Sequence, residues 1–101
     1  MARLRLSRAA DDDLAGIRRY SETEHGAEAA DSYLRSFNNA FARLREHPKL
    51  GRQRLGLPRG IRGLSCGRHI LIYRYAGDEI FVVRVVHQAM DVRAVDLPDL
   101  Q

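Results

Sequence analysis

The chain has 101 residues, 45% of them hydrophobic, which gives room for one hydrophobic core and none for a separate substrate domain or a large enclosed cofactor pocket. A single cysteine, Cys66, excludes an intrachain disulfide, and no apolar run reaches the roughly 20 residues of a membrane span. The formal charge is +4, all but one of the 17 basic residues are arginine, and the short charged N-terminus lacks the apolar stretch of a signal peptide. These features fit a cytoplasmic protein.

Charge is placed unevenly. Residues 1–47 hold eight arginines and eight acidic residues, whereas residues 48–77 hold seven basic side chains (Lys49, Arg52, Arg54, Arg59, Arg62, Arg68 and Arg74) and no acid. Such a block is either a solvated basic face or a surface for a polyanionic or acidic partner.

In chain order, Arg3–Leu6 alternates and predicts a short strand. Ser7 is placed to cap a helix whose early turns carry Asp11, Asp12 and Asp13 against the macrodipole. Ala10, Leu14, Ile17 and Tyr20 fall at helical spacing, and Gly26 marks the end. A longer helix follows, with Ala30, Tyr33, Leu34, Phe37, Phe41 and Leu44 on one stripe, ending at His47 ahead of Pro48. Residues 48–60 read as a loop. Strands are predicted at 61–66, 69–76 and 79–87, joined by turns at Cys66-Gly67 and Gly77-Asp78 short enough to demand antiparallel neighbours. Residues 92–101 read as a tail of weak strand or coil character with Pro98 near its end. The expected fold class is α+β, a β-α-α-β-β-β chain forming a single domain over 1–101, with a helical hairpin on a small, mainly antiparallel sheet. Neither the edge nor the direction of the first strand is fixed by the sequence.

Arginines interrupt the aliphatic strands. By period two, Arg84 shares a face with Ile80, Val82 and Val86, and Arg74 shares one with Ile70 and Ile72. A guanidinium in that setting snorkels to an edge, pairs with a carboxylate such as Asp91 or Asp78, or lines an open contact surface together with Arg62. Among the four histidines none has metal-ligand spacing, so no metal site is expected. His87, beside Asp91, is the one retained as a candidate, for hydrogen bonding or capping more than for base catalysis. Cys66 and the serines have no nucleophile context, and no glycine loop suited to phosphate is present. No cofactor is expected.

Several short pieces recur in a characteristic order: Leu6-Ser7-Arg8-Ala9-Ala10, then Asp13-Leu14 with Ile17 and Tyr20, then Ala30 with Tyr33, and His47-Pro48 with Gly51. Gly60-Ile61-Arg62, Ile72-Tyr73-Arg74, and Arg84-Val85-Val86-His87-Gln88 with Met90-Asp91 complete it. In that order and spacing, over about residues 3–91, the chain resembles the ParE branch of the RelE/ParE toxin superfamily. The resemblance implies the β-α-α-β-β-β fold and the toxin half of a type II toxin–antitoxin pair. It also implies inhibition of DNA gyrase by binding rather than catalysis, and neutralisation by a ParD-like antitoxin. RelE-like, ribosome-dependent mRNA endoribonucleases share the fold and form the first alternative. Their activity resides mainly in an arginine at the start of the middle hairpin strand, another after the last strand, and a C-terminal tyrosine. Here those positions hold Ile70 and Met90-Asp91, and no tyrosine follows Tyr75. Arg68 and Arg93 stand nearby but out of register. A non-toxic basic nucleic-acid-binding domain is the second alternative, weakened by the scarcity of aromatics in the basic segment.

The expected target-contact residues are therefore Arg62, Arg74, Arg84, His87, Met90 and Asp91, with no catalytic residue. An amphipathic, acidic antitoxin segment is expected along the helical hairpin, on Leu14, Ile17, Tyr20, Tyr33 and Phe37, reaching Arg62 and Arg74 on the sheet. Neither a membrane contact nor sequence-specific nucleic-acid binding by the chain alone is expected.

Overall fold

A computed structural model describes residues 1–97; Pro98 and the remainder of the expected tail lie outside the described residues. The elements are β1 (Arg3–Leu6), α1 (Arg8–His25), α2 (Ala27–Glu46), β2 (Arg52–Gln53), β3 (Ile61–Cys66), β4 (His69–Ala76), β5 (Glu79–His87) and a one-turn 3-10 helix, Val92–Ala94. They form an α+β fold with one mixed sheet in the order β1-β5-β4-β3-β2. The β3–β4–β5 meander is antiparallel and has the expected bounds. β1 runs parallel to β5, with Arg3 opposite Glu79 and Leu6 opposite Val82. β2, a two-residue strand inside the segment expected to be loop, pairs with Arg62 and Gly63 at the far edge.

Both helices begin and end for local reasons. Ser7 Oγ accepts from the Ala10 amide (2.9 Å) and donates to the Val83 carbonyl (2.6 Å), so one side chain caps α1 and ties it to β5. Gly26, at φ +90°, ends α1 and starts α2 without a connecting loop. The buried stripe of α1 differs by one residue from expectation. Tyr20 is 66% exposed and Ser21 is buried in its place. At about 100° per residue, position 21 lies close to the line of Ala10, Leu14 and Ile17, while position 20 lies well off it. On α2, Ala30, Phe37, Phe41 and Leu44 are buried as the stripe predicts, Tyr33 and Leu34 are partly buried, and Ala40 is buried with them.

The sheet is covered on both faces. Against the helices lies the main core of Phe37, Phe41, Leu44, Leu71, Tyr73 and Val82. Tyr73 is fully buried, and its hydroxyl donates to the Pro48 carbonyl (2.7 Å) and accepts from the Gly51 amide (2.8 Å). Gly51 is required there, because a Cβ would stand 2.6 Å from the tyrosine ring. On the opposite face Leu57, Ile61, Ile70, Ile72 and Val86 form a second core, covered by Val92, Val95 and Leu97. The residues expected to be a loose tail thus pack as a strap over the sheet. Where the strap does not reach, the guanidinium groups of Arg5 (4.1 Å) and Arg74 (5.6 Å) lie over the Phe81 ring.

A bulge decides which way β5 points its side chains. Ile72 pairs with Arg84 but Tyr73 pairs with Val82, so Val83 has no partner on β4. Ile80, Val82 and Val85 therefore belong to the helix-side core, whereas Val86 belongs to the strap-side core. This corrects the strict two-residue reading: Arg84 shares a face with Val86, and not with Ile80 and Val82.

Candidate functional site

A cleft of about 750 Å³ opens between the exposed side of α1, the start of α2 and the ends of β4 and β5. Ile17, Val85 and Val86 supply apolar wall, Tyr20 and Met90 stand at its rim (66% and 50% exposed), and Tyr33 closes it on the α2 side. β1 ends opposite Val82, so the remainder of β5 has no strand on that edge and α1 fills the gap.

Asp13 is what joins α1 to this edge. Its carboxylate accepts from Arg84 Nε (2.8 Å), Arg84 Nη2 (3.0 Å) and the Val85 amide (2.9 Å). Arg84 Nη1 donates to the Asp96 carbonyl in the strap (2.8 Å). The pair is mostly shielded from water, with 22% and 17% of the two side chains exposed. The carboxylate holds the guanidinium pKa above its usual range, outweighing the opposing effect of burial. Arg84 does pair with a carboxylate, but with Asp13 rather than with Asp91 or Asp78.

A second group lies at the other end of the cleft. His69 and His87 face each other across β4 and β5, with ring centroids 5.4 Å apart in an edge-to-face arrangement. Tyr33 Oη lies 2.6 Å from His69 Nδ1 and accepts from the Arg68 amide at 3.0 Å. Burial, followed by His87 and Arg68, pushes the His69 pKa down, with Asp13 opposing. His87 Nδ1 accepts from the Ala89 amide (3.0 Å), the hydrogen-bonding role expected of it. The Arg68 side chain is exposed and makes no hydrogen bond or ion pair among the described residues.

Of the expected target-contact residues, the structure brings Arg84, His87 and Met90 together in the cleft. Asp91 lies just beyond, where it caps the 3-10 helix and pairs with Arg93 (3.1 Å), which keeps its carboxyl below the usual range. Arg62 and Arg74 are elsewhere and apart, so the three arginines do not form one surface. Arg62, on the helix-facing side, donates to the Gly51 carbonyl (2.8 Å) and holds the 48–51 loop; Arg74 lies against Phe81 on the opposite face. Of the expected antitoxin contacts, Ile17, Tyr20 and Tyr33 line the cleft. Leu14 packs partly buried against the main core, and Phe37, 1% exposed, supports the wall from beneath.

The sequence reading missed Asp13, Arg68 and His69 as site residues. Hairpin register places His69 opposite His87 only with the bulge counted, and in the sequence Asp13 reads as a partner of the helix dipole. Among the described residues no group of three or more His, Cys, Asp or Glu is placed to hold a metal ion, and no helix is long and apolar enough to cross a membrane.

Residues 4–92 match the family described as ParE toxin of type II toxin-antitoxin system, parDE. The chain is 39% identical over 90 residues to "Toxin ParE1" of Caulobacter vibrioides, covering 89% of this chain and 93% of that protein. It is 40% identical over 92 residues to "Toxin ParE1" of Mycobacterium tuberculosis, covering 90% and 94% respectively. Among solved structures, the "Chromosomal ParDE TA system from P. aeruginosa" contains a chain of the same fold, with a TM-score of 0.75 at 24% identity over 86% of this chain and 96% of that one.

Proposed function

This chain belongs to the ParE toxin family of type II toxin–antitoxin systems, and we propose that its cleft is the surface on which a ParD-like antitoxin neutralises it. The same surface docks onto DNA gyrase when the antitoxin is gone. The observation that carries this reading is the convergence of Ile17, Tyr20 and Tyr33 with Arg84, His87 and Met90 around one opening. Residues expected from the helical hairpin and residues expected from the last strand share a site, so occupancy by one partner excludes the other.

Inhibition by binding, without catalysis, is supported by the residues found where ribonucleases of this fold carry their catalytic groups. Cleavage of RNA by its own 2′-hydroxyl needs positioned proton-transfer groups and cations around the phosphate. Ile70, which stands where ribonucleases of this fold carry an arginine, is buried under the strap. Asp91 and Arg93 are paired with each other. The reading as a basic nucleic-acid-binding domain is weakened further, because Arg54, Arg62 and Arg84 are tied to groups within the chain.

The test is direct. Induced alone, the chain should cause filamentation and an SOS response, and purified protein should trap gyrase-cleaved DNA; co-expression of the antitoxin should abolish both. Normal supercoiling by gyrase in excess toxin would refute the target. Rapid transcript cleavage on translating ribosomes would refute the mode of action.

A further inference from the structure

The histidine end of the cleft has a chemistry that the proposed function does not use. The Ala89 amide can only donate, so the His87 Nδ1 facing it is a lone pair and neutral His87 carries its proton on Nε2. The Arg68 amide likewise donates to Tyr33 Oη, which lies 2.6 Å from His69 Nδ1 and is placed to donate its own proton there. With that donation, neutral His69, the form that burial favours, is also protonated on Nε2. No buried side-chain nitrogen or oxygen among the described residues lacks a partner, and His69 Nε2 has none, so it reaches solvent. The cleft thus holds two imidazole N–H donors on facing strands beside the Arg68 guanidinium, which has no partner among the described residues.

Donors without acceptors, next to a cation, are a receptor for an anionic oxygen pair. We propose that Arg68, His69 and His87 form a carboxylate-binding site that takes an aspartate or glutamate side chain of the antitoxin. The proposal rests on the cleft being the antitoxin surface. A carboxylate on a protein segment suits the site better than a nucleic-acid phosphate does. Asp12 lines the same cleft and would repel a chain of repeating negative charge, while Ile17, Tyr20 and Met90 offer apolar contact to the residues flanking a single acid.

The test measures affinity of the purified full chain for its cognate antitoxin by calorimetry. Hydrogen bonds to a charged group at this depth correspond to roughly a ten- to hundredfold effect on affinity, so Arg68→Gln and His87→Phe should each weaken binding by about that factor. Arg35→Gln, on exposed α2 outside the cleft, should leave it unchanged. Tyr20→Ala, an exposed rim change, separates the two ideas. Weakening by Tyr20→Ala with no effect of Arg68→Gln or His87→Phe would overturn the carboxylate site and leave the cleft reading intact. Indifference to all three would overturn both. A second readout avoids the antitoxin altogether. Nitrogen-15 spectra should show both histidines as Nε2–H tautomers, and the capped peptide acetyl-Leu-Glu-Leu-amide should shift those signals while its glutamine counterpart does not. Equal shifts from both peptides, or larger shifts from inorganic phosphate or an oligonucleotide than from the glutamate peptide, would refute the assignment.

Discussion

Replacing Asp13 by alanine tests the physical link on which the cleft depends. The change removes two hydrogen bonds from Arg84 and one from the Val85 amide, and leaves a largely shielded guanidinium whose remaining partner is the Asp96 carbonyl. Breaking a fully buried pair costs about 3–5 kcal/mol, and exposed pairs are worth about 0–1 kcal/mol. With roughly a fifth of each side chain exposed, the expected loss is about 2–3 kcal/mol, or a fall in Tm on the order of 10 °C for a chain of this size. Arg84→Met should cost somewhat less, since methionine packs beside Val86 and leaves only the carboxylate to be resolvated. In a double-mutant cycle followed by urea unfolding, the two changes should couple by about 1–2 kcal/mol. Arg84→Met should also speed amide exchange across Val92–Leu97, because it removes the strap's charged anchor. A coupling below about 0.5 kcal/mol, within the scatter for independent sites, or unchanged exchange in the strap, would refute the argument that this ion pair joins α1, β5 and the strap.

Tyr73→Phe should destabilise the fold by about 1–3 kcal/mol, the cost of leaving the buried Gly51 amide without its acceptor, as read from the urea midpoint. A shift in the midpoint too small to resolve would show that water replaces the hydroxyl. The depressed His69 pKa makes stability depend on pH. Its ordinary value of 6.5 applies in the unfolded chain, which therefore binds the proton first as pH falls. The contribution of His69 is complete above that value and is lost as pH drops through it toward the folded pKa. Urea midpoints should decline between about pH 7 and pH 5 by this mechanism, and His69→Gln should flatten the slope; an identical slope in the variant would contradict it.

The sequence is most legible where one local pattern decides the outcome. The three meander strands and the end of α2 follow from turn glycines, Pro48 and a regular apolar repeat, and the structure reproduces them. Tyr20 misleads because an apolar ring three residues after Ile17 matches helical spacing as well as the buried Ser21 does. The bulge at Val83 left no trace, because valines on both sides of it keep the strand apolar in either register. β2 is two residues long inside a loop rich in glycine and arginine, where propensity has nothing to add up. The strap residues Val92, Val95 and Leu97 have no single period and gain meaning only once the sheet has a second face to cover. At the site, several members stand out in the sequence, but their partners do not. Asp13 and Arg84 are 71 residues apart, and no local pattern connects them.

The parallel pairing of β1 with β5 has a consequence for the newborn chain. The first strand to leave the ribosome waits for the last, because its partners are Glu79 to Val82, and a contact spanning that much sequence closes late. The helical hairpin can form during synthesis, but Ser7 and Asp13 have nothing to grip until β5 emerges. The cleft, whose walls come from α1 at one end of the chain and from Val85 to His87 at the other, therefore cannot assemble before β5 is in place.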